Sequence, residues 1–307
     1  MKTKVNLTVI EYIVHYFWHA VFSSSALWPP GEYGLPMPKS GCPGANDFTW
    51  TTGYIIQDLQ DGSSSKTNIS SNSNLQAIVT NDVQQYFCIK SNQTTVSDAK
   101  RKPWPAGEYC IYQKGKSCPA GMSSGSVFWD DENANGNNKN AKNGSLPEGV
   151  FNEDTKIFFC CQTNGVHSTP IKLPVNKPFY LIAVGPYCQL VLNTVYTLEY
   201  IEYDTEDDNN HDKVTSPHPF GANLVHPRIY YCYYQGTPAF LILAINSSQF
   251  LTFFYHCYQL VIFDLLLMNH FCELVHRIRF LDILACYSKE TVCNESVIFD
   301  LIYFNVV

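Results

Sequence analysis

One stretch of the sequence carries the ligand types that a calcium ion prefers. Residues 131–136 are Asp-Glu-Asn-Ala-Asn-Gly, so oxygen ligands alternate along the chain and a glycine stands where such a loop turns sharply. The bidentate glutamate of a calcium loop would fall at Lys142, which cannot replace it. Asp131, Asn133 and Asn135 are therefore candidate calcium ligands, and a solvated Asn/Gly loop is the alternative interpretation.

Other acidic residues could supply a pair of catalytic carboxylates. An acidic run follows a predicted strand and contains Asp204, Glu206, Asp207, Asp208 and Asp212. With Asp130 and Asp131 it could provide two opposed carboxylates for glycan hydrolysis, but that chemistry needs a separation that a sequence does not reveal. A solubilising loop and a second calcium site are the alternatives for this run.

The sequence offers little further catalytic chemistry. It contains neither a nucleophile elbow nor a zinc-hydrolase helix motif. Its histidines inside the presumed domain lack the spacing of metal ligands; they are His167, His211, His218 and His226. We therefore expect a protein that is not an enzyme and that has no cofactor apart from the calcium considered above.

The cysteines indicate an oxidising compartment. Eight of the 12 lie between residues 42 and 232: Cys42, Cys88, Cys110, Cys118, Cys160, Cys161, Cys188 and Cys232. An even set spread along a strand-rich chain is typical of disulfides in a secreted protein, with reduced core cysteines as the alternative. The three N-glycosylation sequons that lie in the same region, at Asn68, Asn92 and Asn143, point the same way.

The two ends of the chain differ from its middle. Residues 1–27 have lysines ahead of an apolar stretch and small residues after it, which predicts a signal peptide, although polar side chains interrupt the stretch. Residues 237–307 form an apolar tail. Its segment 237–263 contains no Asp, Glu, Lys or Arg over the length of a membrane span, but it contains several amides and a histidine. The tail is either membrane-associated or a read-through of non-coding sequence, whose translation would have this composition.

Composition favours an all-β domain over residues 28–236. Aromatic residues make up 14% of the chain, and short aromatic segments alternate with turn residues. The net charge of −7 and the lack of a basic stripe in the sequence argue against a protein that binds nucleic acid. We predict a disulfide-stapled β-sandwich or barrel, with strands at 53–57, 85–90, 156–162, 178–184, 197–203 and 228–234. The Ser/Asn-rich segment 62–74 and the Asn/Gly-rich segment 132–149 are predicted loops.

An internal repeat occupies the first half of this domain. Trp28-Pro29-Pro30-Gly31-Glu32-Tyr33 recurs as Trp104-Pro105-Ala106-Gly107-Glu108-Tyr109, and Cys42-Pro43 recurs as Cys118-Pro119 in the same register. Phe87-Cys88 and Phe159-Cys160 follow at a similar offset. Such a match is typical of a duplicated supersecondary unit. It suggests equivalent bonds for Cys42 and Cys118, to Cys88 and to Cys160 or Cys161.

The domain resembles the C-terminal domain of apextrins, the ApeC domain. The resemblance spans residues 28–234 and rests on segments 28–38, 41–43, 104–110, 118–119, 129–132, 144–149, 154–155, 159–161, 170–171, 173–174, 178–181, 188–189 and 231–234. Membership of that family implies an extracellular innate-immune protein that binds bacterial peptidoglycan and its muramyl peptide and that agglutinates bacteria. A structural module of the extracellular matrix or of adhesion is the alternative.

The resemblance supplies no established ligand-contact residues. A saccharide-peptide ligand would be bound by aromatic faces and neutral hydrogen-bond donors in loops at one end of the β-scaffold. Trp50, Trp129, Tyr203 and Tyr233 are candidates by residue type, and packing in the core is the alternative for each.

Overall fold

The computed structural model describes residues 26–61, 63–91, 97, 101–132, 138–205 and 210–237. These residues contain no helix and fourteen strands joined in one curled, mainly antiparallel sheet. The strands are β1 (Tyr33–Pro36), β2 (Thr51–Gln57), β3 (Asn68–Ile69), β4 (Ala77–Val79), β5 (Val83–Lys90), β6 (Tyr109–Gln113), β7 (Ser123–Trp129), β8 (Ala141–Gly144), β9 (Gly149–Phe151), β10 (Thr155–Gln162), β11 (Phe179–Ile182), β12 (Thr194–Glu202), β13 (Lys213–Thr215) and β14 (Arg228–Gly236). The prediction of a disulfide-bonded all-β fold is confirmed.

The sheet is built from one pairing pattern that occurs three times. In the first unit β5 lies between β1 and β2; in the second, β10 lies between β6 and β7. In the third unit β14 lies between β11 and β12 in the same way. The first strands meet in the middle of the molecule, because β6 pairs with both β1 and β11. The duplication predicted from the sequence is therefore part of a triplication.

The three units exchange their outermost strands in a closed cycle. The second unit contributes β8 to the edge of β2, and the third contributes β13 to the edge of β7. The first unit contributes β3 to the edge of β12, which closes the cycle. Strands β3 and β8 lie inside segments 62–74 and 132–149, so the prediction that these segments are loops is wrong at those positions. The error has a physical reason, since each short strand gains its hydrogen-bond partners from a different unit.

Reciprocal hydrogen bonds hold each exchanged strand, as Asp58 illustrates. Asp58 directly follows β2, and its carboxylate accepts a hydrogen bond from the backbone N–H of Lys139 (2.6 Å). The Asp58 N–H donates to Oδ1 of Asn140 (2.6 Å), just before β8. Asn138 shapes the segment, because its Oδ1 accepts the N–H of Asn140 (2.8 Å) in an Asx turn. We call this arrangement the aspartate clasp.

The clasp recurs where each of the other second strands ends. Asp130 accepts from the N–H of His211 (2.7 Å) and donates to Asp212 (2.8 Å), whereas Asp204 accepts from the N–H of Lys66 (2.5 Å) and donates to Thr67 (3.2 Å). In all three clasps the partner segment lies immediately before the exchanged strand. The aspartates therefore connect each unit to the next.

Replacing Asp58 with alanine tests the importance of the clasp for stability. We expect the free energy of unfolding to fall by about 2 kcal/mol, because a partly buried N–H loses its acceptor. Chemical denaturation of the full chain measures the change. Asp61→Ala is the control: Asp61 also contacts the Lys139 ammonium (3.4 Å) but is 62% exposed, so its loss should change stability by about 0.5 kcal/mol or less. Equal losses in both variants would contradict a clasp.

The sheet is buried on both faces at its centre. Successive residues of a strand point to opposite faces, and the four residues of β11 alternate between two apolar clusters. One cluster, the Phe87 core, contains Phe87, Tyr112, Trp129, Phe159, Tyr180, Tyr203 and Tyr231. The other, the Trp28 core, contains Trp28, Tyr33, Trp50, Trp104, Tyr109 and Phe179. Strands β6 and β11 are therefore buried along their whole length rather than at alternate positions.

The repeated Trp-Pro-x-Gly-Glu-Tyr motif builds equivalent turns against the Trp28 core. The Tyr33 hydroxyl donates to the Pro29 carbonyl (3.1 Å), and the Tyr109 hydroxyl donates to the Pro105 carbonyl (2.6 Å). Each tyrosine thus closes its own turn from four residues away. The tryptophans that begin the motif are buried beside these turns, where their role is structural.

All eight cysteines of the domain are paired. Three disulfides occupy equivalent positions in the three units: Cys42–Cys88, Cys118–Cys160 and Cys188–Cys232. The fourth, Cys110–Cys161, crosses between β6 and β10 in the second unit. The bonds of Cys42 and Cys118 are thus equivalent, as the repeat suggested, and Cys160 rather than Cys161 is the partner of Cys118.

Candidate functional site

An open groove of about 500 Å³ lies on the solvent face of the first unit. Its walls come from the turn after β1, from β2 and β5, and from the exchanged strand β8. The residues that line it are Met37, Pro38, Lys39, Gly41, Thr52, Gly53, Tyr54, Gln76, Tyr86 and Asn143. Because β8 belongs to the second unit, the groove exists only where the two units are joined.

Two tyrosines form the aromatic part of the groove. Tyr54 on β2 lies directly opposite Tyr86 on β5, with ring centroids 5.4 Å apart and the ring planes inclined by 47°. Both side chains are half-buried. Gln84 orients one ring, because its amide donates to the Tyr86 hydroxyl (2.6 Å). The pair therefore presents a fixed aromatic surface that still contacts solvent.

A corresponding tyrosine pair exists in the third unit, but another side chain covers it. The Tyr200 and Tyr230 ring centroids are 5.8 Å apart. The Arg228 guanidinium lies 4.6 Å from the Tyr200 ring centroid, and the Phe220 ring packs on Tyr230 (5.2 Å). Arg228 is in turn held by a carboxylate oxygen of Glu202 (2.6 Å). A ligand could stack on Tyr200 only by displacing this arginine.

Glycine allows the exchanged strand to form the groove wall. A Cβ atom on Gly53 would lie 2.3 Å from the Ser145 carbonyl oxygen and 2.6 Å from that of Asn143. Such distances are far inside van der Waals contact, so a larger residue would push β8 away from β2. Gly53 is thus required by the close approach of the two units.

Polar groups line the opposite wall. The Lys39 ammonium donates to the Ser73 carbonyl (2.6 Å), and the Gln76 N–H donates to the Met37 carbonyl (2.8 Å). These bonds fix the turn after β1 against the loop before β4. The exposed Lys39 provides a positive charge, while Thr52 and Gln76 provide neutral hydrogen-bonding groups. The groove can therefore contact a sugar ring, an amide and a carboxylate together.

The four aromatic residues proposed from the sequence as ligand contacts lie elsewhere. Trp129 and Tyr203 are buried against each other in the Phe87 core, with centroids 5.3 Å apart. Trp50 packs edge-on against Trp28 (5.7 Å) in the Trp28 core. Their ring faces are covered by protein, so they are core residues in this conformation. Tyr233 is half-buried and packs on Tyr180 (5.1 Å).

Sequence reasoning therefore missed the tyrosines of the groove, although a signal for them exists. In β2 and β5 the residues beside Tyr54 and Tyr86 are buried, for example Ile55 and Phe87. Because successive side chains of a strand point to opposite faces, a tyrosine between buried residues must lie on the solvent face of its strand. An aromatic side chain at such a position on two strands identifies the surface pair.

Asp131, the first residue of the predicted calcium loop, lies inside the protein. Its carboxyl accepts hydrogen bonds from Thr155 (2.5 Å), Asn140 (2.8 Å) and Gln57 (3.3 Å). Burial raises its pKa to about 7 against the opposing effect of these bonds. The described residues contain no group of three or more His, Cys, Asp or Glu side chains placed to hold a metal ion. Asn133 and Asn135 lie outside the described residues, and the calcium site stays a prediction.

The acidic and histidine candidates lie mostly in the clasps. The Asp130 and Asp204 carboxylates each accept a clasp N–H, and each also contacts a histidine ring, that of His211 (3.2 Å) or of His226 (2.7 Å). His167 contacts Glu108 (3.0 Å) and stacks on Tyr187. Residues 206–208 of the acidic run lie outside the described residues.

The predicted sequons lie in three different settings. Asn143 is exposed at the groove wall, Asn68 is half-buried on β3, and Asn92 lies outside the described residues. Most of the predicted leader and of the apolar tail also lies outside the described residues. The part of the chain that the structure describes includes no helix able to cross a membrane.

These features define a disulfide-stapled all-β module of three strand-exchanging units with an aromatic groove on the first. The model of the ApeC family, the C-terminal domain of apextrin, matches residues 28–234. The match covers most of the described domain, and the chain therefore belongs to the ApeC family. No curated protein matches the chain, and no solved structure does so either.

Proposed function

We propose that this domain is an extracellular recognition module of the innate immune system that binds bacterial peptidoglycan in the groove of the first unit and does not cleave it. The observation that carries the proposal is the half-buried Tyr54–Tyr86 pair, which lines the groove together with Asn143. Membership of the ApeC family supports the choice of ligand, because peptidoglycan binding is what the resemblance implies.

The chemistry of the groove suits a muramyl peptide. The apolar face of a sugar ring can stack on a tyrosine, as saccharides do on aromatic side chains at binding sites. The N-acetyl groups need neutral donors and acceptors, which Thr52, Gln76 and Asn143 provide. Lys39 can pair with a carboxylate of the lactyl or peptide moiety. These contacts would bind both the sugar and the peptide part of the ligand.

The disulfides support the proposed compartment. Four bonds persist in an oxidising environment and are rare in the cytosol. An extracellular location is also where bacterial wall fragments would meet the protein. The proposal therefore places ligand and domain in the same compartment.

Removing the two groove tyrosines tests the site. We expect the double variant Tyr54→Ala/Tyr86→Ala of the full chain to bind insoluble peptidoglycan about thirtyfold more weakly, since two stacking contacts contribute about 2 kcal/mol together. A co-sedimentation isotherm measures the change. The matched control is Tyr200→Ala/Tyr230→Ala, which removes the covered pair of the third unit and should bind like the wild type. Thermal melts of both variants show whether the fold is retained.

Two outcomes would contradict the proposal. Wild-type protein that is not retained on peptidoglycan, with or without calcium, would exclude the ligand and leave a matrix or adhesion module as the alternative. Equal weakening by both tyrosine pairs would exclude the groove as the site. Release of soluble sugar or peptide from the peptidoglycan would contradict a purely binding role.

A further inference from the structure

Asn143 combines a glycosylation sequon with a position in the groove wall. The sequon is Asn143-Gly144-Ser145, and the asparagine side chain is exposed on β8. Within the described residues its carboxamide makes no side-chain hydrogen bond. Modification of this nitrogen would therefore break no side-chain hydrogen bond among the described residues.

Asn68 provides the contrast, because its amide nitrogen is already engaged. The Nδ2 group of Asn68 donates to the Lys66 carbonyl (2.6 Å) and to a carboxylate oxygen of Glu202 (2.7 Å). An amide nitrogen that carries a sugar retains a single hydrogen. Glycosylation of Asn68 would thus cost one of these two bonds, of which the bond to Glu202 joins β3 to the third unit. Of the two described sequons, Asn143 is the one that the fold accommodates.

The position of Asn143 directs an attached sugar towards the tyrosines. Asn143 lies directly opposite Tyr54 in the antiparallel β2–β8 pair, and side chains in such pairs share one face with Cβ atoms about 5 Å apart. The first sugar of an N-linked glycan is N-acetylglucosamine, an amino sugar of the kind that forms the peptidoglycan backbone. A sugar on Asn143 is therefore at stacking distance from the proposed ligand site.

We infer that Asn143 carries an N-linked glycan whose first sugar occupies the groove and competes with peptidoglycan. In the modification, Nδ2 of Asn143 forms a bond to C1 of the sugar while the bond from C1 to the diphosphate of a lipid-linked oligosaccharide donor breaks. The amide proton leaves with the lipid diphosphate. The competition, though not the modification itself, rests on the proposed function of the groove.

Two measurements test this inference, and the first needs no bacterial ligand. Glycopeptide mass spectrometry of the full chain secreted by animal cells should find the glycan on Asn143. The folded chain should then lose this glycan to a peptide N-glycosidase about tenfold more slowly than Tyr54→Ala/Tyr86→Ala does. Tyr200→Ala/Tyr230→Ala, the control, should match the wild type. An unmodified Asn143, or equal release rates in all three proteins, would overturn the inference whatever the fate of the proposed function.

The second measurement addresses the competition. Ser145→Ala abolishes the sequon but keeps the backbone hydrogen bond from Ser145 to Thr52 (2.9 Å), and we expect it to bind insoluble peptidoglycan about tenfold more tightly than the glycosylated wild type. Asn92→Gln removes a different sequon and should leave binding unchanged. Equal binding of wild type and Ser145→Ala would overturn the competition. If neither protein binds, the proposed function fails, while slow glycan release would still place the sugar in the groove.

Discussion

Removal of the disulfide Cys42–Cys88 by the double variant Cys42→Ala/Cys88→Ala is expected to lower the free energy of unfolding by about 4 kcal/mol. The bond joins residues 46 apart, and a cross-link of this span restricts the unfolded chain by about that amount in the chain-entropy account. It is the single disulfide of the first unit. Once it is removed, the unfolded chain of that unit is therefore no longer restricted by a cross-link of its own.

The equivalent bond of the second unit provides a matched comparison. Cys118–Cys160 spans 42 residues and lies inside the loop that Cys110–Cys161 closes. Once that outer bond exists, the inner bond closes only a ring of about ten further residues, which corresponds to about 3 kcal/mol. Cys118→Ala/Cys160→Ala should therefore be about 1 kcal/mol less destabilising than the first-unit variant. Guanidinium denaturation of the full chains, compared under identical buffer conditions, measures both values.

The two variants are comparable in other respects. In each pair one sulfur lies in the Trp28 core and the other is partly buried beside it, so the packing losses should be similar. A larger loss for Cys118→Ala/Cys160→Ala than for Cys42→Ala/Cys88→Ala would contradict the nested-loop explanation. It would indicate that local packing, rather than the unfolded chain, determines the contribution of each bond.

The sequence predicted two of the three units, because their motifs are alike. Trp28 and Trp104 begin nearly identical turns. The third unit lacks the tryptophan and the glycine of this motif, and retains only spacing: Phe179 precedes Cys188 by nine residues, as Tyr33 precedes Cys42. The third unit has the same strand pairing and burial as the other two, but different side chains provide them. Its sequence is therefore too different from theirs for the repeat to be recognised.

The groove could not be predicted for a related reason. One wall is β8, whose sequence Ala-Lys-Asn-Gly has low strand propensity and is exposed throughout. Its pairing depends on Gly53 and on the clasp at Asp58, both of which belong to another unit. Local propensity describes neither interaction. By contrast, strands β5, β10 and β11 were predicted from residue type, because apolar and aromatic residues predominate in each segment.

Asp131 should make the stability of the domain depend on pH in the opposite sense from an ion-paired aspartate. Its pKa is about 7 in the folded protein and 3.8 for an ordinary aspartate, and burial is the main cause. The folded state therefore holds a proton that the unfolded chain releases. The resulting stability is fully present below pH 3.8 and is lost as the pH rises through about 7.

The size of this effect follows from the difference between the two pKa values of Asp131. A difference of about three pH units corresponds to about 4 kcal/mol, so the wild type should be less stable at pH 8 than at pH 4 from this group alone. Asp131→Asn replaces the carboxyl with a neutral group of the same shape. The difference in unfolding free energy between wild type and variant should thus change by about 4 kcal/mol between these pH values, to the variant's advantage at pH 8.

Urea denaturation of wild type and Asp131→Asn at intervals from pH 4 to pH 8 measures this difference. Burial also raises the pKa values of Asp82 and Asp212, but these groups are present in both proteins and cancel in the comparison. Asp61→Asn, at an exposed position, is the control and should follow the wild type. A constant difference between wild type and Asp131→Asn would contradict the prediction. The same titration, repeated with added calcium, tests the calcium prediction. Calcium bound by Asp131 would raise the stability of the wild type at pH 8 and leave the stability of Asp131→Asn unchanged.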